Sequence, residues 1–337
     1  MKALITGGAG FIGCNVADAW AAAGHEVTVL DDLSRRGSER NWGWLQGRHG
    51  ERVRFARGDV ADFGFVAGAL PGHDVVCHLA GQVAVTTSVE DPAADFRANA
   101  QGTLSVLEAA RAQPTPPIVL YASTNKVYGG LEGAAVREEE RRYAYADGRA
   151  GVSEREPLDF HSPYACSKGV GDQYALDYCR VYGVPTVVFR QSCIYGPHQL
   201  GCEDQGWLAH FAICAVLDRP ITICGDGKQV RDLLHVRDLI RLYDLAIGNI
   251  ERAMGRAFNT GGGPSRARSL REVIATLEEI TGRPLRLSFT DWRPGDQRIY
   301  VSDTAAVRQA LGWEPTVEPE EGVRELCGWV EHNRDLF

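Results

Sequence analysis

The chain contains no apolar run approaching the roughly 18 residues of a membrane-spanning helix, and Met1-Lys2 is followed only by a short apolar stretch before glycines. No transmembrane segment and no secretory leader are expected, and the predicted location is the cytoplasm. Basic charge is not in excess either: 36 Lys and Arg face 44 Asp and Glu, for a formal net charge of −8. Broad binding to nucleic acid, which rests on clustered cations against phosphates, is therefore not expected, and an anionic ligand needs its own local basic residues. The nine cysteines include no Cys-x-x-Cys spacing and no paired His beside them, so neither a metal site nor a disulfide frame is predicted. They read as reduced core residues. Repeats and low-complexity linkers are also missing.

What the chain does have is apolar content, 44% of 337 residues, enough to bury a large core in two domains or in one domain with a lobe. Residues 3–6 form a short apolar run ending at glycines, and residues 11–23 carry helical apolar spacing that stops at Gly24, a good helix-ending residue. Residues 26–30, 53–56, 74–78 and 118–122 read as further strands with helix-like segments between several of them, followed by a helix to about Tyr182 and a strand at 186–190. This alternation predicts an α/β fold with a doubly wound parallel sheet. The expected division is a first domain at 1–190 and a smaller lobe drawn mainly from 191–337, with some segments returning to the sheet. The charged stretch at 137–142 reads as a solvated loop face.

The run Gly7-Gly8-Ala9-Gly10-Phe11-Ile12-Gly13 lies between strand and helix. Absent side chains there let the backbone approach a pyrophosphate, and the amides opening the next helix favour an anion. The second strand ends at Asp31-Asp32, about 20 residues onward, where a carboxylate can accept hydrogen bonds from an adenosine ribose. A dinucleotide-binding, Rossmann-type domain is predicted, and Asp31 favours NAD over NADP because it would repel a 2′-phosphate; Ser34 and Arg35 follow in the same loop. Asp59 after the third strand either reaches the adenine or caps a helix. Leu79-Ala80-Gly81 after the fourth strand either lets the chain lie along the cofactor or packs tightly in the core.

Tyr164-Ala-Cys-Ser-Lys168 puts a phenol and an ammonium on one helix face. A phenol with a pKa near ~10 becomes a base at neutral pH only when positive charge stabilises the phenolate, and Lys168 and an oxidised nicotinamide both supply it. Thr124 ends the fifth strand, where ligands of open parallel sheets gather, and its hydroxyl is expected to bond a reacting substrate oxygen while Tyr164 accepts or returns the proton.

The glycine turn, the strand end Ser123-Thr124-x-x-Val-Tyr-Gly129, Tyr164-x-x-x-Lys168 and Tyr195-Gly196-Pro197 resemble the nucleotide-sugar epimerases and dehydratases of the extended short-chain dehydrogenase/reductase family over nearly the whole chain. Within that family, Asn125-Lys126-Val-Tyr-Gly, Leu158-Asp-Phe-His161-Ser-Pro-Tyr-Ala-Cys-Ser-Lys168-Gly, Asp204-Gln-Gly-Trp207 and Gly227-Lys-Gln-Val-Arg231-Asp are most similar to the CDP-tyvelose (CDP-paratose 2-) epimerases, as is the insert at 137–157. The 4,6-dehydratases carry an Asp-Glu pair where this chain has Asn125-Lys126, which disfavours dehydration. At Gln191 the chain departs from the epimerase pattern, which has His.

The resemblance implies NAD-dependent inversion of carbon 2 of a CDP-linked hexose through a transient 2-keto sugar. Its rivals are a 4-epimerase acting on a UDP-hexose or UDP-hexuronate, and a non-catalytic NAD-binding protein. The cofactor set is Gly7, Gly10, Phe11, Ile12, Asp31, Asp32, Ser34, Arg35, Asp59 and Val60, with Leu79, Ala80, Gly81, Gln82, Asn99, Ala122, Tyr164 and Lys168. The catalytic set is Thr124, Tyr164 and Lys168. On the substrate side stand Thr124, Asn125, Lys126, His161, Gln191, Ser192, Gln205 and Trp207, with Arg231, Arg293 and Asp296 at the nucleotide, since guanidinium forks suit a diphosphate. The C-terminal lobe is thereby expected to bind substrate, and a homodimer through two helices of the first domain is implied.

Overall fold

The computed structural model describes residues 1–292 and 297–337. Five strands of the first half, β1 (Lys2–Thr6), β2 (Glu26–Asp31), β3 (Val53–Arg57), β4 (Val75–His78) and β5 (Ile118–Thr124), join Thr186–Gln191 and Arg256–Thr260 in one sheet. Its seven strands run in the order Arg256–Thr260, Thr186–Gln191, β5, β4, β1, β2, β3, and every pairing is parallel. The chain order reverses at β1, so the cleft beyond the carboxyl ends of β1, β2 and β4 is where such a sheet takes a ligand.

Helices cover both faces: α1 (Phe11–Ala22), α2 (Ser38–His49), α3 (Phe63–Ala69), α4 (Val85–Glu90), α5 (Pro92–Phe96), α6 (Gly102–Arg111), α7 (Pro163–Tyr182) and, later in the chain, α9 (Val236–Gly248), whereas α8 (Trp207–Val216) packs in the C-terminal half. Alternation along β1 explains the arrangement. Ala3 and Ile5 enter the core shared with α1 and α9, Leu4 enters the core shared with α3 and α6, and all three are fully buried. Burying each large aliphatic side chain contributes roughly 1.5–3 kcal/mol, which is why these strands read as continuous apolar runs.

A second core gathers α8, Leu270–Thr281 and Pro319–His332 over the paired strands of the C-terminal half. There Val230–His235 lies parallel to Cys193–Tyr195 and to Ile299–Tyr300 and antiparallel to Ala267–Ser269, while Ile221–Cys224 pairs with Leu287–Thr290. Of the charged stretch at 137–142, read from sequence as a solvated loop face, residues 139–142 are the loop of an antiparallel hairpin and only Arg137 and Glu138 belong to its strands, Val136–Glu138 and Tyr143–Tyr145. Its strands face inward only through Tyr143 and Tyr145, which are buried, so the charges outside them hide the period. Among the described residues no helix is long and apolar enough to cross a membrane.

Candidate active site

The glycine turn is shaped by close approach. Gly7 has φ +67° and a Cβ there would lie 2.6 Å from the Ala80 amide nitrogen; a Cβ on Gly13 would lie 2.2 Å from the Gly7 carbonyl oxygen. Backbone therefore passes where a side chain would stand, and the first turn of α1 is pressed against the cradle. The same approach brings Leu79-Ala80-Gly81 alongside Gly7: the Leu79 amide donates to the Thr6 carbonyl at 3.0 Å and the Ala80 amide to the Thr6 hydroxyl at 3.3 Å. This strip and turn fit a dinucleotide, and Phe11 and Ile12 sit at its helix end.

Asp31 ends β2 beside the glycine turn. Its Oδ2 accepts the Ala9 amide at 3.0 Å and its Oδ1 the Leu33 amide at 2.8 Å, so the carboxylate braces the loop that frames the cleft. Burial pushes its pKa up against those two hydrogen bonds. Asp32 is exposed and accepts the Ser34 amide and hydroxyl at 2.9 and 2.6 Å. Asp59 takes the Ala61 amide at 2.8 Å and Arg97 at 2.8 Å, whereas the cap of α3 is Asp62. Val60 packs in the α3–α6 core and Ala122 is buried within β5. Arg35 reaches across the cleft to the Gln205 side-chain oxygen. That contact joins a residue predicted for the cofactor to one predicted for the substrate.

Tyr164 and Lys168 lie one turn apart at the start of α7. Ser162 caps that helix by accepting the Ala165 amide at 3.1 Å, Pro163 fills its first position, and Gly183 ends it at φ +71°. Ser162 itself sits at φ +141°, a left-handed conformation costing about 1–3 kcal/mol in the residue that sets how Tyr164 enters the site. Tyr164 is 9% exposed and Lys168 6%. Burial raises the Tyr164 pKa, and a hydrogen bond with Thr124 and the charge of Arg35 oppose the rise. Burial lowers Lys168 to about 8, against the pull of Asp95 and Asp172. The Lys168 ammonium also lies 4.8 Å from the centre of the Tyr121 ring.

Beneath the pair, His78 at the end of β4 bridges Thr6 at 2.7 Å and Thr103 at 3.0 Å, its pKa pushed down to about 3 by burial and by Lys168, so it stays neutral. Asn99 stands in a π-helical turn, Arg97–Gln101, of the kind that often marks a functional position. Its Oδ1 is buried without a protein partner among the described residues, as is Gln82 Oε1, whose amide nitrogen donates to the Ala84 carbonyl at 2.7 Å.

The substrate-side residues are distributed unevenly. Asn125 is buried beside Thr124, its Oδ1 3.4 Å from the Thr124 hydroxyl, and Lys126 donates its amide to that hydroxyl at 3.2 Å. Gln191 turns its amide nitrogen to the Tyr243 hydroxyl of α9 at 2.7 Å and is 8% exposed. Ser192 bonds the buried Asp232. Trp207 opens α8 and stacks edge-on to Phe211 at 5.5 Å, while His161 pairs with Asp159 at 2.8 Å on the loop before α7. Arg231 stands on Val230–His235 and donates to its neighbour's carbonyl at 2.7 Å. Arg293 and Asp296 lie outside the described residues.

The spacing along the chain did not single out Asp95 and Asp172, whose buried charges act on Lys168, nor Ser167 and Arg190, which are bonded to them. One signal was present: Asp95 and Asn99 are spaced i, i+4, as are Lys168 and Asp172.

Residues 3–261 match the family described as "NAD dependent epimerase/dehydratase family". A protein from Salmonella typhi named CDP-paratose 2-epimerase is 43% identical over 337 residues, covering 98% of this chain and 99% of that protein. A UDP-glucose 4-epimerase from Thermus thermophilus solved with NAD superposes with a TM-score of 0.81 at 31% identity, covering 99% of this chain and 100% of that one. A UDP-glucuronic acid 4-epimerase from Bacillus cereus, solved with UDP-glucuronic acid and NAD, superposes with a TM-score of 0.85 at 27% identity, covering 98% of this chain and 99% of that one. With its parallel Rossmann-type sheet, its glycine cradle and a match across most of its length, this chain belongs to the NAD dependent epimerase/dehydratase family of enzymes.

Proposed function

We propose that the enzyme inverts carbon 2 of a CDP-linked hexose of the paratose/tyvelose type through a transient 2-keto sugar. The observation that carries the reading is the Thr124–Tyr164–Lys168 cluster in a chain 43% identical, end to end, to a CDP-paratose 2-epimerase. Gly7, Gly10, Asp31 and the Leu79–Gly81 strip hold NAD, which when bound supplies the acceptor and then the donor of the hydride from carbon 2. Thr124 positions the carbon 2 hydroxyl. Tyr164 Oη takes the hydroxyl proton as the C–O bond becomes a carbonyl, and Lys168 keeps the resulting phenolate stable. After the sugar turns over, Tyr164 gives the same proton back to the oxygen, so neither a proton nor an electron pair is gained or lost over the cycle. Arg231 and Arg293 bind the diphosphate, and Asn125, Gln191 and Trp207 border the sugar.

Incubation with CDP-, UDP-, GDP- and dTDP-hexoses in ordinary and deuterated water, followed by proton NMR, tests this. Inversion at carbon 2 of a CDP-hexose with no deuterium on that carbon is expected. Inversion at carbon 4 would replace the reading with the 4-epimerase, and deuterium in the ring would exclude internal hydride return.

The same proposal includes a homodimer through α6 and α7 and a reducing, cytoplasmic setting. Supporting the first, Leu104, Tyr174, Val181 and Tyr182 leave 39%, 46%, 59% and 51% of their surface exposed on these two adjoining helices. Supporting the second, all nine cysteines are free. Light scattering is expected to give twice the 36.8 kDa chain mass, and a monomer mass would remove the dimer.

A further inference from the structure

Asp95 is 1% exposed, yet it belongs neither to the glycine cradle nor to the Tyr164–Lys168 pair. Its two oxygens are both occupied. Oδ1 accepts the Asn99 amide nitrogen at 3.1 Å and Oδ2 accepts the Ser167 hydroxyl, while the same Asn99 nitrogen donates to Ser167 Oγ at 3.0 Å. An ionised carboxylate can only accept, so both N–H groups of Asn99 are consumed by this triangle and its oxygen must face the other way. That other way is the active-site strip: a Cβ built on Gly81 would lie 2.3 Å from Asn99 Oδ1 and 4.0 Å from Lys168 Nζ. Ser167 ties the triangle to the catalytic helix by contacting the Tyr164 carbonyl at 3.1 Å and by preceding Lys168.

We propose that Asp95 is a positioning residue of this site, locking Asn99 with its carboxamide oxygen toward the Gly81 strip and placing a fixed negative charge behind the Tyr164–Lys168 pair. The inference rests on the catalytic reading of that pair. The charge acts on both partners in one direction, since an anion disfavours the phenolate and favours the ammonium. Asp95 accordingly pushes the pKa of Tyr164 and that of Lys168 upward.

Other charged and titratable groups stand on the elements packed around the pair and are unaltered by a change at position 95. Asp172 lies one turn on along α7 and is bound by Arg190; His78 of β4 is neutral; Tyr121 of β5 offers its ring; Arg35 acts on Tyr164 from the β2 loop. Lys126 follows β5, Glu90 ends α4 exposed, and Glu108 of α6 is held by Arg111 and Tyr178.

The test is Asp95→Asn, which keeps the shape and removes the charge. In the NAD-loaded enzyme the whole pH profile of kcat is expected to move to lower pH by about half a unit or more, because both pKa values fall. The ultraviolet ionisation midpoint of Tyr164, read as the difference between each protein and its Tyr164→Phe counterpart, is expected to fall in parallel without any turnover. Asp95→Ser, which leaves room for a water, gives the same comparison if the isostere does not fold. A profile and a tyrosine midpoint that superimpose on wild type would overturn the proposal even if kcat drops. An active Tyr164→Phe enzyme would instead remove the catalytic reading on which it stands.

Discussion

Tyr164→Phe is expected to lower turnover by roughly 10²–10⁴-fold, the range for loss of a positioned acid–base group, while bound NAD stays. The substitution removes one oxygen from a ring that is 9% exposed, so the packing of α7 is preserved. What is lost is the hydrogen bond to Thr124 and, in the proposed mechanism, the atom that receives the hydroxyl proton. Among the described residues the two nearest nitrogen bases are not placed to take over. His78 lies in a closed set of bonds with Thr6 and Thr103 and is held neutral, and Lys168, at about 8, is mostly the ammonium at neutral pH and has no lone pair to accept a proton. Turnover of a CDP-hexose and the NAD released on denaturation are to be measured together. Turnover within about threefold of wild type with full NAD would show that the phenol is not the base.

The second large effect is on stability. Asp172 and Arg190 are 0% and 5% exposed and form a two-pronged ion pair, with Arg190 Nε and Nη2 each 2.9 Å from a carboxylate oxygen. The carboxylate also accepts the Ser123 hydroxyl at 2.7 Å, and Arg190 continues through Tyr128 at 3.0 Å to Asn259 at 2.7 Å. These bonds stitch α7 to β5, to Thr186–Gln191 and to Arg256–Thr260. Asp172→Ala leaves the Arg190 guanidinium buried without its counter-charge, and about 3–5 kcal/mol of stability is expected to be lost. Removing both charges with Asp172→Leu and Arg190→Met is expected to cost much less, because no uncompensated charge remains. Urea unfolding followed by tryptophan fluorescence at saturating NAD measures both. A loss below about 1 kcal/mol for Asp172→Ala alone would mean that water or another carboxylate reaches Arg190.

Both predictions concern the same helix, and they separate two things α7 does. Its first two turns present Tyr164 and Lys168 to the cleft; its third turn, through Asp172, anchors it to the sheet. An enzyme that must hold a phenol and an ammonium in a dry site needs that anchor, because the burial that shifts their pKa values also penalises any loosening that lets charge go unpaired.

The amino-acid sequence by itself determined the strand–helix alternation, the glycine cradle and the i, i+4 placement of Tyr164 and Lys168. Each of these is a matter of local conformation or local spacing, readable within a few residues. It also pointed to Asp31, because the span from the glycine turn to the end of β2 is one βαβ half-unit. Tertiary structure alone decided which polar groups meet. Asp95 finds Ser167 across 72 residues and Arg35 finds Gln205 across 170, and the hairpin hidden in the charged stretch at 137–142 takes shape only where Tyr143 and Tyr145 meet the C-terminal strands. Those partnerships depend on how α5, α7 and the C-terminal lobe pack, and packing is set by the shape of whole faces, so no periodicity or spacing along the chain carries it.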